Sequence, residues 1–406
     1  MTLGFPDNLT KQELSDGCFD SFVKERKTIQ HEIVEDGPVL ENVLTGDDID
    51  LMKFPTPMWH PEDGGRYIGT GTYTVTRDPE EGWMNCGAYR AMVHDKKSVG
   101  CFMVTGKHGF IQRNKYWEKG EPCPVVMVIG GEPIAFFNGG AEAPYGTFEL
   151  DIVGGIRGKA VECVEGKVTG LPFPANAEIV FEGFLYPDKI KNEGPFGEWT
   201  GYYASGEHPE PVLEIEAIYH RNDPIILGVP PMGQGSDEMS RYRAVLRSAM
   251  LKQNLADAGV PEVTGVWCHE IGASRLFHAV AITQRYPGHS KQAGHIAAQC
   301  QASNYANRFV VVVDEDIDVT NLEQVIWAMC TCCDPATTID IVKGAWTSPA
   351  DPRLTPEQKA NGDITNSRAI IDACKPFHWK DDFPTVNAPG LDVLREAREK
   401  FGYLMD

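Results

Sequence analysis

Between residues 37 and 228 short apolar-rich runs alternate with glycine and proline turns. "YTVTRD" (73–78), "PVVMVIGG" (124–131), "AEIVFEGFLY" (177–186) and "VLEIEAIYH" (212–220) are such runs. Short runs of this kind between turn residues predict strands, and their close spacing predicts a barrel or sandwich. Residues 1–36 differ: "KQELSDGCFDSFVKERKTIQHEIVED" is polar and predicts a helical lead-in ending before Gly37-Pro38. After the Pro/Gly break "PIILGVPPMGQGSDE" the pattern changes again. A helix is expected over "SRYRAVLRSAMLKQNLADAG". Strands ("VTGVWCHE", "LFHAVAIT", "FVVVVDED", "TIDIVKG") then alternate with helices ("SKQAGHIAAQCQA", "NLEQVIWAMCTC"), which predicts an α/β layer. The expected fold class is α/β in the mixed α+β sense: a lead-in at 1–36, a β-barrel unit at 37–232, and an α/β unit at 233–406.

The 406 residues suffice for two cores, and 42% hydrophobic content excludes wholesale disorder. A formal net charge of −21 repels phosphate backbones and anionic lipid, so neither nucleic acid nor membrane is an expected partner. The N-terminus lacks the basic start and apolar run of a secretory signal, and no apolar stretch is long enough to span a bilayer. Eleven cysteines are scattered. Cys330, Cys332 and Cys333 cluster without a second Cys/His pair at zinc spacing, so reduced thiols in a cytoplasmic protein are expected.

Against this acidic background, individual cations and turn-bound acids carry information. "NEGPFGEWTGYY" (192–203) sets Glu193 and Glu198 on either side of a Gly-Pro-Phe-Gly bend. The bland reading is a polar turn between strands. "GWMNCGAYR" places Asn85 and Arg90 on a strand-like run, and a buried guanidinium must be paired. A structural salt bridge would satisfy that need, and so would a substrate carboxylate with one of the glutamates. Glycine-flanked His108 in "GKHG" and Glu149 in "PYGTFE" complete, with Asn85, a donor set suited to Mn²⁺ or Mg²⁺. Spacing alone does not bring these residues together.

The ordered motifs "WMNCGAYR", "GKHG", "PYGTFE…GGIRG", "ANAEIVFEG", "EGPFGEWTGYY", "YPGHSK" and "VVDEDIDV…VIWA" resemble the UbiD family of prenylated-FMN-dependent decarboxylases over roughly residues 35–345. The resemblance implies a split β-barrel flavin domain followed by an α/β domain through which the chain forms homodimers or larger homo-oligomers. It places a catalytic Glu-Arg-Glu set on Arg90, Glu193 and Glu198. Glu198 would be a proton donor with its pKa raised by burial and its acidic neighbour, and Glu193 would hold Arg90 in plane. It places the divalent metal, Mn²⁺ or Mg²⁺, on Asn85, His108 and Glu149. The cofactor would lie against Asn85, Gly87, Ala88, Tyr89, Arg90, Lys107, His108 and Glu149, with Lys291 reaching its phosphate and K⁺ on nearby backbone oxygens. A flavin prenyltransferase is the implied cofactor supplier, and a small carboxylic acid and CO₂ the implied reactants. Family members normally carry an N-terminal α/β segment ahead of the region where this chain begins. "MTLGFP" resembles an internal stretch, so either a misplaced start, or a chain without that segment or given it in trans, is expected. The expected activity is reversible, non-oxidative decarboxylation of an aromatic, heteroaromatic or α,β-unsaturated acid. The alternatives are a subunit of a multi-part aromatic carboxylase, a flavin oxidoreductase on the same barrel, and a glycosidase using the two glutamates as its acid pair.

Overall fold

A computed structural model describes residues 3–25, 27–141, 143–233, 238–387 and 389–402. Among them the barrel half forms a nine-stranded sheet. From edge to edge it runs Tyr67–Gly69, Ala91–Asp95, Ser98–Gly100, His208–His220, Ile179–Glu193, Cys123–Ile129, Thr72–Arg77, Met84–Gly87, with Asn42–Thr45 added on His208–His220. The two longest strands, Ile179–Glu193 and His208–His220, pair antiparallel and bring Glu193 opposite His208. Alternation along Cys123–Ile129 explains why the sheet is buried on both faces. Val126 and Val128 pack with Tyr73, Val180 and Tyr219 on one side, and Val125, Met127 and Ile129 with Phe181 and Leu213 on the other.

Three helices, His108–Glu118, Pro133–Gly139 and Glu149–Arg157, lie within this half, where the sequence pattern predicts only strands and turns. Two of them contribute Phe136, Leu150 and Val153 to the first face's core. Each begins beside a glycine or proline turn, so the pattern that marks the turn hides the short helix after it. A small sheet of Glu32–Ile33, Glu162–Glu165 and Pro172–Pro174 stands beside them.

The second half is a five-stranded sheet in the order Val263–Cys268, Phe277–Ile282, Phe309–Asp314, Thr365–Asp372, Ile339–Trp346, with the central strands parallel. Helices Glu238–Asp257, His289–Gln299 and Leu322–Cys332 cover it. The helical lead-in needs correction. Among its described residues only Lys11–Cys18 and one further π-helical turn, Phe19–Val23, are helical, and Glu32–Ile33 is a strand paired with Glu162–Cys163. Cys18 is fully buried with Ala244, Val245 and Trp267, so this helix belongs to the core of the second half rather than preceding the first. All eleven cysteines are free, and no described helix is long and apolar enough to cross a membrane.

Candidate active site

Arg90 stands in the short link between strands Met84–Gly87 and Ala91–Asp95, not within a strand as its apolar neighbours suggest. The link is pinned by Ala88 N–H to the Gly139 carbonyl (2.9 Å) and by the Thr72 hydroxyl to the Tyr89 carbonyl (2.5 Å). Opposite, the strand Ile179–Glu193 ends on Glu193 and the chain bends through Gly194-Pro195-Phe196-Gly197 to Glu198. The bend is braced from behind. Gly64 N–H donates to the Pro195 carbonyl (2.7 Å), and Gly197 N–H donates to the Asp63 carboxylate (3.0 Å). A Cβ on Gly64 would lie 1.8 Å from the Gly194 carbonyl oxygen, so only glycine lets the two segments approach this closely.

The result is one guanidinium between two carboxylates. Arg90 Nε and Nη2 donate to the two oxygens of Glu193 at 2.8 and 2.6 Å, and Nη1 donates to Glu198 Oε1. All three side chains are buried, with Arg90 8% exposed. Phe102 lies 4.4 Å from the guanidinium carbon and Phe196 at 5.0 Å, flanking it with aromatic rings. Glu193 also accepts from the Tyr67 hydroxyl (2.8 Å), and Glu198 from the Ser205 hydroxyl (3.0 Å). Burial pushes the Glu193 carboxyl up. The Arg90 charge and the hydrogen bonds from Arg90 and Tyr67 outweigh it and hold the group below the usual carboxylate range. Neither Tyr67 nor Ser205 stands out in the sequence. A lone tyrosine and a lone serine carry no spacing signal, and only the strand ends and the bend bring them to the acids.

Arg90 and Glu198 line a cavity of about 320 Å³ that also takes in Asn85, Gly87, Ala88, Tyr89, Lys107, His108 and Glu149. Asn85 projects from a strand, while His108 and Glu149 are the first residues of two helices. The structure thus gathers the three residues whose sequence spacing left them apart. The Asn85 amide nitrogen is buried without a hydrogen-bond partner, and rotating the amide would present its oxygen. Burial and the neighbouring Lys107 charge lower the His108 pKa, keeping the imidazole neutral as a ligand must be. Burial pushes Glu149 up to about 8, against the hydrogen bond it accepts from Cys86 N–H (2.6 Å). An amide oxygen, a neutral imidazole and a carboxylate without a cation fit Mn²⁺ or Mg²⁺. Among the described residues no three His, Cys, Asp or Glu side chains converge, so the set depends on Asn85.

Lys291 is the exception. It sits in the first turn of helix His289–Gln299, pairs with Asp340 at 2.8 Å, and is not among the residues lining the cavity. Its motif marks a helix start, but that start faces the edge strand Ile339–Trp346. From the second half come residues the sequence reading did not single out. Arg275 lies 5.9 Å from the Trp199 ring and 5.0 Å from Tyr305, and Lys107 lies 4.7 Å from Tyr305. The Thr200 hydroxyl donates to the Ala350 carbonyl at 3.0 Å. The cavity therefore lies between the two halves.

The nine-stranded sheet and the α/β layer thus enclose a cleft that carries an Arg–carboxylate set. The profile of the 3-octaprenyl-4-hydroxybenzoate carboxy-lyase Rift-related domain matches residues 32–234, and that of the C-terminal domain of the same enzymes matches residues 242–373. The chain belongs to the UbiD family. It is 33% identical over 365 residues to pyrrole-2-carboxylic acid decarboxylase of Pseudomonas aeruginosa, an alignment covering 87% of this chain and 72% of that one. Among solved structures, the UbiD-class enzyme HmfF of Pelotomaculum thermopropionicum, in complex with FMN, superposes with a TM-score of 0.83 at 28% identity, covering 98% of this chain and 84% of that one. Vanillic acid decarboxylase of Sedimentibacter hydroxybenzoicus gives 0.83 at 27%, covering 100% and 84%.

Proposed function

We propose that this carboxy-lyase releases CO₂ reversibly from an aromatic, heteroaromatic or α,β-unsaturated carboxylic acid and uses prenylated FMN. The observation that carries the reading is a single guanidinium clasped by two buried carboxylates at a cavity wall. Bound prenylated FMN would supply the electron sink that side chains do not offer when a C–CO₂⁻ bond breaks. Asn85, His108 and Glu149 would hold Mn²⁺ or Mg²⁺ for the cofactor phosphate, with Gly87, Ala88, Tyr89 and Lys107 around the cofactor and K⁺ nearby. A flavin prenyltransferase would provide it.

The chain's own residues divide the remaining work. Arg90 has five N–H donors, and three are committed to Glu193 and Glu198. The two left over can orient a substrate carboxylate. Glu193, held as the anion, keeps the guanidinium in plane and cannot supply a proton near neutral pH. Glu198 then protonates the carbon that CO₂ leaves. Phe102 and Phe196 exclude water from the pair. A glycosidase would need its two acids free to reach opposite faces of a sugar ring, whereas here both are bound to one cation.

The test is co-expression with a flavin prenyltransferase, identification of the bound flavin by absorbance and mass, and a panel of acids that includes pyrrole-2-carboxylate and vanillate. CO₂ release without a reductant is expected, which an oxidoreductase would not give. Glu198→Gln should lower turnover by about two to four orders of magnitude with little change in binding. Arg90→Lys should impair both, because an ammonium lacks the planar two-point grip. Wild-type CO₂ release from Glu198→Gln would overturn the assignment.

A further inference from the structure

The proposed proton donor faces a supply problem. Each decarboxylation consumes one proton, yet Glu198 is 7% exposed, and one of its oxygens already binds Arg90. A buried acid that turns over repeatedly needs a route back to solvent. The same oxygen, Oε1, accepts a hydrogen bond from the Ser205 hydroxyl at 3.0 Å. Ser205 itself is only partly buried, between exposed Tyr202 and exposed Glu207. It lies on the loop that follows the bend, and that loop is held in place from the other half of the molecule. Lys359, from helix Pro356–Ala360, donates from Nζ to the carbonyl of Ala204, the residue before Ser205. Thr200, at the start of the loop, donates to the Ala350 carbonyl at 3.0 Å. Glu198 N–H also donates to the Tyr202 carbonyl at 3.1 Å, closing the loop on itself. A hydroxyl can donate and accept at once, which a proton relay requires and which neither Arg90 nor a backbone amide can do.

We infer that Ser205 is a proton-relay residue that reloads Glu198. As the new C–H bond forms, the Glu198 O–H bond breaks and leaves the carboxylate. Ser205 then passes its hydroxyl proton to Oε1 while its oxygen takes one from a solvent or buffer acid. Serine is regenerated, and one solvent proton is consumed for each CO₂ released. The same chain of groups run backwards exchanges the product's ring hydrogen with solvent. Lys359 positions the loop and takes no part in the transfer.

The inference rests on Glu198 being the acid, and the experiment separates the two claims. In prenylated-FMN-loaded enzyme, with pyrrole-2-carboxylate or whichever acid of the panel is turned over, Ser205→Ala should lower kcat by about one order of magnitude. That is less than the two to four orders lost with the acid itself. KM and flavin content should stay unchanged. Deuterium uptake from D₂O into the decarboxylated product should slow by the same factor, and the solvent isotope effect on kcat should rise. Ser205→Thr, which keeps the hydroxyl, should restore the rate, and thermal midpoints should match wild type. If Glu198→Gln is inactive while Ser205→Ala exchanges deuterium and turns over at wild-type rates, the relay is overturned and Glu198 remains the acid. Wild-type activity of Glu198→Gln would overturn both.

Discussion

An arginine only 8% exposed has lost most of its hydration, and Arg90 recovers it through three hydrogen bonds to carboxylates that are themselves buried. Glu193 lies 103 residues away in the sequence, so no spacing rule joins them. The sequence shows an arginine in need of a partner and two acids fixed by a bend. That these needs meet is a property of the fold. The same holds at Asn85, His108 and Glu149, which lie far apart in the sequence and line one cavity, where burial pushes the Glu149 carboxyl up to about 8. Changing Glu149 to Ala should strip both the divalent ion and the flavin from purified, co-expressed protein, since the ion would link protein to phosphate. Metal analysis together with the flavin absorbance measures this, and stoichiometric Mn²⁺ and flavin in the variant would sink the ligand assignment. Lys291, by contrast, shows what a motif does not give: its side chain found Asp340 instead of the cavity.

Among the elements, strands were the easier to read. Four runs in the first half and four in the second appear as strands, because a strand buried on both faces reads as a short β-branched apolar run between turn residues. The helices starting at His108 and Glu149 did not announce themselves. Each opens beside a glycine-rich turn, and each is held by the sheet it packs on rather than by its own periodicity. They matter most for the site, since a helix start sets both His108 and Glu149 at the cavity. The bend carrying Glu193 and Glu198 depends in turn on a segment far from it. In Gly64→Ala the added Cβ would need space 1.8 Å from the Gly194 carbonyl oxygen, occupied by backbone that cannot rotate away. Displacing the bend should cost about 1–3 kcal/mol in urea unfolding, as overpacking does, and should lower decarboxylation more than an alanine at exposed Gly4 would.

At the scale of the whole molecule, the site exists only because the two halves close on each other. Arg275, Tyr305 and Trp346 line the cavity from the second half, while Arg90 and Glu149 line it from the first. The second half also leaves Ile326 (41%), Trp327 (45%) and Ile341 (56%) exposed on the helix Leu322–Cys332 and the edge strand Ile339–Trp346. With a net charge of −21 opposing association, apolar surface of this kind is where self-association would gain most. The chain is expected to form at least a dimer through this half. Light scattering should show twice the chain mass, or a multiple of it, and Trp327→Glu should shift the population toward monomer. A monodisperse monomer for the unsubstituted chain would count against it.

What the sequence by itself determined is local and repetitive. It set the change of texture between the halves, the core strands, the pinned bend between two acids, and the run of motifs shared with the UbiD family. These follow from periodicity, backbone permissiveness and short spacings, which act within a few residues of chain. The tertiary structure decided which arginine meets which glutamate, that Asn85, His108 and Glu149 line one cavity, that the N-terminal helix joins the second core, and that a loop serine reaches a buried acid. Those contacts join residues far apart along the chain. They depend on the packing of whole elements, and no local pattern encodes that packing.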